Sequence, residues 1–385
     1  MCKKKKVIAQ VLYNLNIGGV TNVVERLLRD LRQEYELVLI ILADPKAQDL
    51  PGLPVKTYRL SASIPDVHSL LDFSLIWLRP GKYFSPLVKD LVDIVEKEKI
   101  NVFHFHGLPK DLLIGKLVQD QCPELKLVYT DHLMRIAGNE YRWGTRKLLS
   151  LLYKRFYHSY HVLFVSKAIA DRAQKLGFIN KTNQSQVVEN TVDADRILRK
   201  SEYNFKDLVS IVYVSRISKV KGHFLLPLVA EILIRKFQIT NFCFHLIGPG
   251  ELTDDLQNEI SSRGLDQYFS LEGPRSNVHE LLCDFDLAVF PSEKEGLPVA
   301  LLEKMAAGLP VVASDIPEIT NVIQYPNEAL LFPVNNPDAC ASQINRLIND
   351  QGLREKIGTA ARQAVAMRYA EPLGYKYAVF YQKLF

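Results

Sequence analysis

Two glutamates, Glu295 and Glu303, stand eight positions apart in the stretch 293-EKEGLPVALLEKMAAGLPVVASD-315. On one continuous helix, their carboxylates would lie about 80° apart around the axis. Pro298 predicts another arrangement, because proline favours the first turn of a helix, so that Glu295 lies in a loop and Glu303 inside the helix. The free N–H groups of a first turn bind anions. The pattern indicates an anion site flanked by two acids, with a solvated loop acid and an unrelated surface acid as the alternative.

Two cations, Arg216 and Lys221, occupy a short loop in 214-VSRISKVKGHFLLPLV-229, where Gly222 precedes a predicted helix. An arginine fork and a lysine point charge beside free N–H groups suit a diphosphate. The alternative is a pair of solvent-exposed bases. The Walker A pattern is absent from the sequence, so this loop is not a P-loop.

Two pairs of glycines follow predicted strands and could let a ligand approach the backbone. Gly18 and Gly19 precede a helix, where close approach to an anion is possible, although the GxGxxG fingerprint is not matched and a plain tight turn stays open. Gly248 and Gly250 lie in 247-IGPGEL-252. We expect them to form a wall against which a nucleobase could lie.

Other motifs argue against several classes of site. His106 and His132 follow strands and could be cleft or structural histidines. The triplet 284-DFD-286 resembles a metal motif, but it leads straight into apolar 287-LAVF-290, which indicates the end of a helix and the start of a strand. A GxSxG elbow, an HExxH motif and a Cys-His pairing are all absent from the sequence, so hydrolase and zinc interpretations lose their main support.

The composition of the chain is that of a two-domain soluble protein. It has 385 residues, 48% of them hydrophobic and 24% charged, and no apolar run approaches the roughly 20 residues of a membrane span. Its N-terminus reads as a strand rather than a signal peptide. Five scattered cysteines without CxxC spacing predict reduced thiols, a cytoplasmic location and no zinc site.

Near-continuous apolar runs alternate with amphipathic stretches along the whole chain, as in parallel sheets buried on both faces. The fold class predicted is α/β with two doubly wound parallel sheets. The boundary falls in the polar stretch 191–207, giving domains 1–193 and 194–369 and a helical segment 370–385. The predicted strands are 6–15, 36–43, 54–60, 100–106, 125–130, 161–166 and 185–190, then 208–216, 242–248, 268–273, 286–292, 309–315 and 329–334.

The charge of the chain is unevenly divided. Residues 1–193 carry 28 Lys and Arg against 20 Asp and Glu, whereas residues 194–385 carry 20 against 23. A basic half fits an anionic partner such as a lipid surface or a phosphorylated carrier, or is merely a basic surface. The stretch 132–161 has six Lys and Arg among aromatic and leucine residues, which predicts either a helix on an anionic bilayer or an ordinary core-facing helix.

Over essentially its whole length the chain resembles family 4 retaining glycosyltransferases of the GT-B architecture, in which two Rossmann-like domains face a central cleft. The motifs VSRISKVKG, IGPGEL and PSEKEGLPVALLEKMAAGLPVVASDIPEI carry most of the resemblance. The last resembles the signature of exopolysaccharide and capsule enzymes. IGGVTNVV, FHFHG, VYTDH, LFVSKAI and VVENTVD resemble family positions in the same order.

The resemblance implies a nucleotide-sugar site in the second domain. Glu303 would bind the ribose, Glu295 would sit over the sugar ring, and Arg216 and Lys221 would neutralise the departing diphosphate in place of a metal. The further donor-binding residues that it implies are Gly296, Leu297, Pro298, Gly248 and Gly250.

In the first domain the resemblance implies that Gly18 and Gly19 approach the diphosphate and that His132 contacts the donor sugar or the acceptor. The implied reaction is transfer from a UDP- or GDP-sugar to a glycan acceptor, expected to be lipid-linked, by a same-face mechanism without metal or other cofactor. Peripheral contact with an anionic membrane and no nucleic-acid partner are expected.

The chain departs from the family pattern at Ser215, where glycine is common, and at Asn190-Thr191, where Asn-Gly is common. The second departure puts the hinge geometry in doubt. The order Asp131-His132 matches one variant of the family histidine site. Two alternatives stay open: a nucleotide-sugar epimerase of similar fold, which needs general bases near the sugar, and a sugar-nucleotide-binding protein without catalysis.

Overall fold

A computed structural model describes residues 5–15, 19–44, 54–61, 80–106, 109–132, 154, 157–179, 185–205, 207–275 and 277–385. The chain divides into two compact units. The first comprises residues 1–189 and 373–385, and the second comprises residues 190–372. The change of unit after Glu189 lies a few residues before the boundary predicted after residue 193.

The first unit is built on a parallel sheet of seven strands in the order β3-β2-β1-β4-β5-β6-β7. Its interior strand β1 is buried at all six positions, as its continuous apolar sequence predicts for a sheet covered on both faces. The strands are β1 Val7–Leu12, β2 Glu36–Ile41, β3 Lys56–Arg59, β4 Val102–Phe105, β5 Lys126–Asp131, β6 His161–Phe164 and β7 Ser185–Val187.

Amphipathic helices connect these strands. The first, α1, buries Val23, Val24, Leu27, Leu28 and Leu31, whose spacing places them on one helical face against the sheet. The helices described in this part are α1 Gly19–Leu31, α2 Pro80–Glu98, α3 Pro109–Gln121 and α4 Lys167–Lys175.

The second unit has a six-stranded parallel sheet in the order β10-β9-β8-β11-β12-β13. The strands are β8 Val209–Val214, β9 Phe242–Ile247, β10 Phe269–Gly273, β11 Leu287–Phe290, β12 Val311–Ser314 and β13 Leu330–Phe332. Its helices are α5 Leu226–Arg235, α6 Thr253–Ser262, α7 Val278–Leu281, α8 Val299–Ala307, α9 Pro317–Thr320, α10 Pro337–Asn349 and α11 Gln351–Arg368. Both sheets therefore have the doubly wound order, which confirms the predicted fold class.

The last helix, α12 Leu373–Gln382, returns to the core of the first unit. Its buried residues Tyr377 and Tyr381 pack in one cluster with residues of β1, β2 and α1. Gly374 lies so close to α1 that a Cβ there would be 2.3 Å from Cβ of Asp30. This close approach explains the glycine. The segment 370–385 thus contains a helix that packs on the first sheet.

Among the described residues, no helix combines the length and the apolar character needed to cross a membrane.

Candidate active site

The candidate site of the second unit lies where the strand order reverses. Strands β8 and β11 are neighbours in the sheet, and their connections leave in opposite directions. Ligands of open α/β sheets bind beyond the carboxyl ends of strands at this point. Lys221 follows β8 and Glu295 follows β11, so the topology brings the two loops together.

Gly222 allows these two loops to pack closely against each other. It ends the short 3-10 turn Lys219–Lys221 in the left-handed region, at φ 70° and ψ 20°. A Cβ at this position would be 2.1 Å from the carbonyl oxygen of Pro291, which belongs to the loop after β11. Only glycine fits both the backbone conformation and the space.

Lys221 and Glu295 form an ion pair in the candidate site, with Nζ 2.7 Å from Oε1. The Glu295 side chain is 7% exposed and that of Lys221 is 24% exposed. A buried carboxylate is costly unless a cation satisfies it. The pair therefore fixes both charges at the switch point before any ligand is present.

Tyr213, the fifth residue of β8, supports this pair from inside the sheet. Its hydroxyl donates to the carbonyl oxygen of Lys221 at 2.8 Å and lies 3.0 Å from Oγ of Ser292. Burial, and secondarily the charge of Glu295, raise the pKa of Tyr213. The phenol therefore stays protonated and holds the backbone of the Lys221 turn in place.

Helix α8 begins at Val299, one residue later than predicted. Pro298 is its N-cap, with φ −78° and ψ 75°, and its carbonyl oxygen accepts from the N–H groups of Leu301 and Leu302. The N–H of Val299 donates to the carbonyl oxygen of Leu297 at 2.9 Å. The predicted anion site therefore cannot use this N–H in the present arrangement. Gly296, Leu297 and Pro298 are all buried.

Glu303 lies inside α8, as predicted, and contacts a histidine that the sequence analysis did not select. Its Oε1 is 3.1 Å from Nε2 of His279, in α7. The hydrogen bond with Glu303 raises the pKa of His279. The only sequence signal for His279 is its place in a short helix after the Gly-Pro turn at residues 273–274.

Lys304 is a second residue that the sequence analysis missed. Its side chain is fully buried, its Nζ donates to the carbonyl oxygen of Ala300 at 3.0 Å, and it lies 5.4 Å from the ring centroid of Phe290. Burial lowers the pKa of Lys304 to about 8, against the opposing charges of Glu303 and Glu295. Burial therefore outweighs the effect of the two carboxylates, which favour the charged form of Lys304.

Arg216 pairs with a different acid from the one that Lys221 contacts. Its Nε is 3.1 Å from Oε2 of Glu251, and both side chains are at least half exposed. An exposed pair of this kind contributes little to stability, so either partner can be exchanged for a ligand at small cost.

Gly248 and Gly250 allow the loops after β8 and β9 to lie backbone against backbone. A Cβ at Gly248 would be 2.2 Å from the carbonyl oxygen of Ser215, and one at Gly250 would be 2.2 Å from that of Ile217. The N–H of Ile217 also donates to the carbonyl oxygen of Pro249 at 2.8 Å. Packing alone therefore explains these glycines, and their contact with a nucleobase stays a prediction.

In the first unit, Gly18 lies outside the described residues, whereas Gly19 is the first residue of α1. No described atom lies within 4 Å of an ideal Cβ at Gly19, so packing does not require glycine there. His132 follows β5 directly and is partly buried, with its Nε2 3.3 Å from Nδ1 of His106.

The triplet 284–286 is structural, as predicted. Asp286 accepts hydrogen bonds from the N–H of Ser210 at 2.9 Å and from its hydroxyl at 2.8 Å, and Nζ of Lys200 lies 3.8 Å away. Among the described residues, no three His, Cys, Asp or Glu side chains lie together as a metal site requires.

The His279–Glu303 contact predicts a pH-dependent contribution to stability. Because the pKa of His279 is raised above its ordinary 6.5, its contribution is fully present below pH 6.5 and is lost as the pH rises through the raised value. We expect His279→Asn to lower the free energy of unfolding at pH 5.5 by no more than about 1 kcal/mol, since the pair is partly exposed, and by less at pH 8.5. Urea unfolding at both pH values measures this. A difference that grows with pH would contradict it, and Glu303→Gln should remove the dependence.

Two Rossmann-like units in one chain, the second with a charged site at its switch point, are the architecture of the GT-B class. Residues 195–364 match the family model of glycosyl transferases group 1, and residues 17–196 match that of glycosyltransferase family 4. The two matches together span most of the chain, which is therefore a glycosyltransferase with a family 4 domain followed by a group 1 domain.

Individual relatives agree with this assignment. The chain is 24% identical to N-acetyl-alpha-D-glucosaminyl L-malate synthase of Bacillus anthracis, covering 86% of this chain and 87% of that protein. It is 30% identical to the amylovoran biosynthesis glycosyltransferase AmsK of Erwinia amylovora, over 43% of this chain and 42% of that protein. The structure of Anabaena HepE in complex with UDP and glucose shares the fold, with a TM-score of 0.78 at 16% identity and coverage of 98% and 100% of the two chains.

Proposed function

We propose that this glycosyltransferase moves a sugar from a UDP- or GDP-sugar to a glycan acceptor, with retention of configuration and without a metal. The observation that carries the proposal is the part-buried Lys221–Glu295 pair, 2.7 Å apart at the switch point of the second sheet. The complex of HepE with UDP and glucose and the amylovoran enzyme support a nucleotide-sugar donor and a role in polysaccharide or glycoconjugate synthesis.

Breaking the bond between the anomeric carbon and the diphosphate leaves negative charge on the nucleotide and positive character on the sugar. An ammonium group has three donors, so Lys221 can keep its bond to Glu295 and still donate to phosphate oxygens. Glu295 is then placed to orient the sugar and to stabilise its positive character. Charges fixed before the reaction lower its barrier because they need no reorganisation.

Retention is proposed to proceed on one face of the sugar. The acceptor oxygen bonds to the anomeric carbon on the side from which the diphosphate departs, and the leaving phosphate oxygen takes the acceptor proton. Glu303 would hold the ribose hydroxyls, and Arg216 would exchange Glu251 for the diphosphate. His132 would contact a sugar hydroxyl.

The proposal is tested with a panel of UDP-, GDP- and ADP-sugars. We expect one nucleotide class to stabilise the protein, by about 2.7 kcal/mol at 100 times its dissociation constant. Turnover with that donor should persist in EDTA, because Lys221 and Arg216 supply the positive charge that a metal would supply. NMR of the product should show the anomeric configuration of the donor. An inverted product would refute retention, and complete loss in EDTA that Mn²⁺ restores would refute metal independence.

A lipid-linked acceptor is proposed from the basic stretch 132–161, most of which lies outside the described residues. Among its described residues, Tyr157 is fully buried and its hydroxyl donates to Asp131, whereas Lys154 is partly exposed, with its Nζ 5.7 Å from the ring centroid of Phe178. Tyr157 is therefore a core residue and does not belong to an exposed apolar face.

Flotation with liposomes tests the membrane contact. We expect the protein to float with anionic vesicles at low salt and to be released at high salt, since each surface cation contributes about 1 kcal/mol and salt screens it. Changing Arg142, Arg146, Lys147 and Arg155 to Glu should abolish flotation, and neutral vesicles serve as the control. Wild-type protein that stays in the soluble fraction with anionic vesicles at low salt would contradict the proposal and favour a soluble acceptor.

A further inference from the structure

A line of buried polar side chains runs through the first unit and ends at His132. Gln10, in the interior strand β1, is fully buried, and His106, just after β4, is 2% exposed. Nε2 of His106 lies 2.6 Å from Oε1 of Gln10, and Nδ1 of His106 lies 3.3 Å from Nε2 of His132. Both ring nitrogens of His106 therefore face another member of this line.

The direction of each hydrogen bond follows from the carboxamide of Gln10. Its Nε2 donates to the hydroxyl of Tyr381 at 3.1 Å, so its Oε1 is the acceptor for His106. His106 therefore carries its ring proton on Nε2. Burial holds the pKa of His106 well below its usual value, so the ring is neutral and its Nδ1 can only accept. The donor to this atom is the Nε2–H of His132.

The other end of the line is anchored by α12. Burial raises the pKa of Tyr381, which keeps its hydroxyl protonated, and this hydroxyl contacts Nδ1 of His104. Nε2 of His104 lies 2.7 Å from Oγ1 of Thr130. Burial also lowers the pKa of His104, so its ring is neutral. The Tyr381 hydroxyl then donates to Nδ1 of His104, and Nε2–H of His104 donates to Thr130. All the hydrogen bonds of the line therefore run in the same direction.

We propose that Gln10 and His106, anchored by Tyr381, are positioning residues that hold His132 in the tautomer with its proton on Nε2. In this tautomer Nδ1 of His132 has the lone pair, and this is the form of the ring that can accept from a hydroxyl group. A sugar hydroxyl is a ligand of this chemistry, and to that extent the inference rests on the proposed function. The line also gives α12 a role beyond filling the core, because the hydroxyl of Tyr381 accepts from the amide of Gln10 and so holds its orientation.

The tautomer can be measured without turnover. In full-length protein labelled with ¹⁵N-histidine, long-range ¹H–¹⁵N correlation identifies the protonated ring nitrogen, and His132→Gln assigns the signal. We expect His132 to carry the proton on Nε2 in the wild type and to become a mixture of tautomers in Gln10→Met. Tyr381→Phe, which keeps the ring and removes only the hydroxyl, should give the same mixture.

Tyr35→Phe is the matched control. Tyr35 is buried in the same cluster, 5.7 Å from the ring centroid of Tyr381, but its hydroxyl donates to the carbonyl oxygen of Ala378, off the line. This variant should keep the wild-type signal of His132. A wild-type proton on Nδ1, or an unchanged signal in both Gln10→Met and Tyr381→Phe, would overturn the proposal.

Turnover separates this inference from the proposed function. The kcat of Gln10→Met should fall about fivefold, the rate equivalent of one ordinary hydrogen bond, whereas Tyr35→Phe should match the wild type. Suppose that His132→Ala is fully active and that the wild-type ring is held with its proton on Nε2. The proposed role of His132 in the reaction would then be refuted, whereas its positioning by Gln10 and His106 would be supported. If the tautomer is not held and His132→Ala is inactive, the positioning line fails instead.

Discussion

Lys221→Ala should lower kcat by about 100- to 1,000-fold, because one preorganised charge at a developing anion is worth ~2.7–4 kcal/mol of barrier. Lys221 lies 2.7 Å from Glu295 and is three-quarters buried, so its ammonium is already fixed before the diphosphate departs. Steady-state kinetics with the donor identified by the panel measures this loss. We expect the donor KM to change much less than kcat, since the charge on the diphosphate is greatest after the bond begins to break.

Two controls separate catalysis from stability. Lys221→Ala leaves the carboxylate of Glu295 buried without its cation, which also costs stability. Adding Glu295→Gln removes that unpaired charge, so the double variant should regain thermal stability but not kcat. Lys219 is exposed on the same short turn, and Lys219→Ala should keep the wild-type kcat. A wild-type kcat/KM in Lys221→Ala would refute the assigned site.

Glu303→Ala should weaken binding of the nucleoside diphosphate by about 10- to 150-fold, the value of one hydrogen bond to a charged group at ~1.5–3 kcal/mol. The carboxylate is held at 3.1 Å from His279, which fixes one oxygen and leaves acceptor capacity for a ribose hydroxyl. Titration calorimetry measures the affinity directly. The effect on kcat should be small, because the ribose does not change charge during the reaction.

A double-mutant cycle with the ligand makes this test specific. A 2′-deoxyribose or 3′-deoxyribose nucleoside diphosphate should lose affinity for the wild type but not for Glu303→Ala, if Glu303 binds that hydroxyl. Glu293, exposed in the loop before α8, is the matched control, and Glu293→Ala should bind as the wild type does. Equal losses for both deoxy ligands in the wild type and in Glu303→Ala would contradict ribose recognition by this residue.

The sequence alone determined the architecture. Each predicted strand corresponds to a strand of the structure, because continuous apolar runs bounded by turns are a local pattern that parallel sheets require. The triplet 284–286 was also correctly predicted as structural from the apolar run that follows it. The start of α8 was off by one residue, because proline fits both the N-cap and the first helical position and its residue type does not distinguish them.

Tertiary structure alone decided the partners and the burial of the site residues. Lys221 and Glu295 lie 74 positions apart and meet only because β8 and β11 are neighbours in the sheet. Arg216 and Glu251 also meet through neighbouring strands, because Arg216 follows β8 and Glu251 follows β9. The spacing of residues in the sequence does not show this pairing.

The burial of Lys304 and the line from Gln10 to His132 were equally invisible in the sequence. A lysine after Glu303 reads as a surface residue, and a histidine at a strand end reads as a structural one. The desolvation that shifts a pKa, and the partner that fixes a tautomer, come from side chains on other elements. Residue type and spacing specify which groups can carry charge, whereas the packing of distant strands determines which of those groups meet.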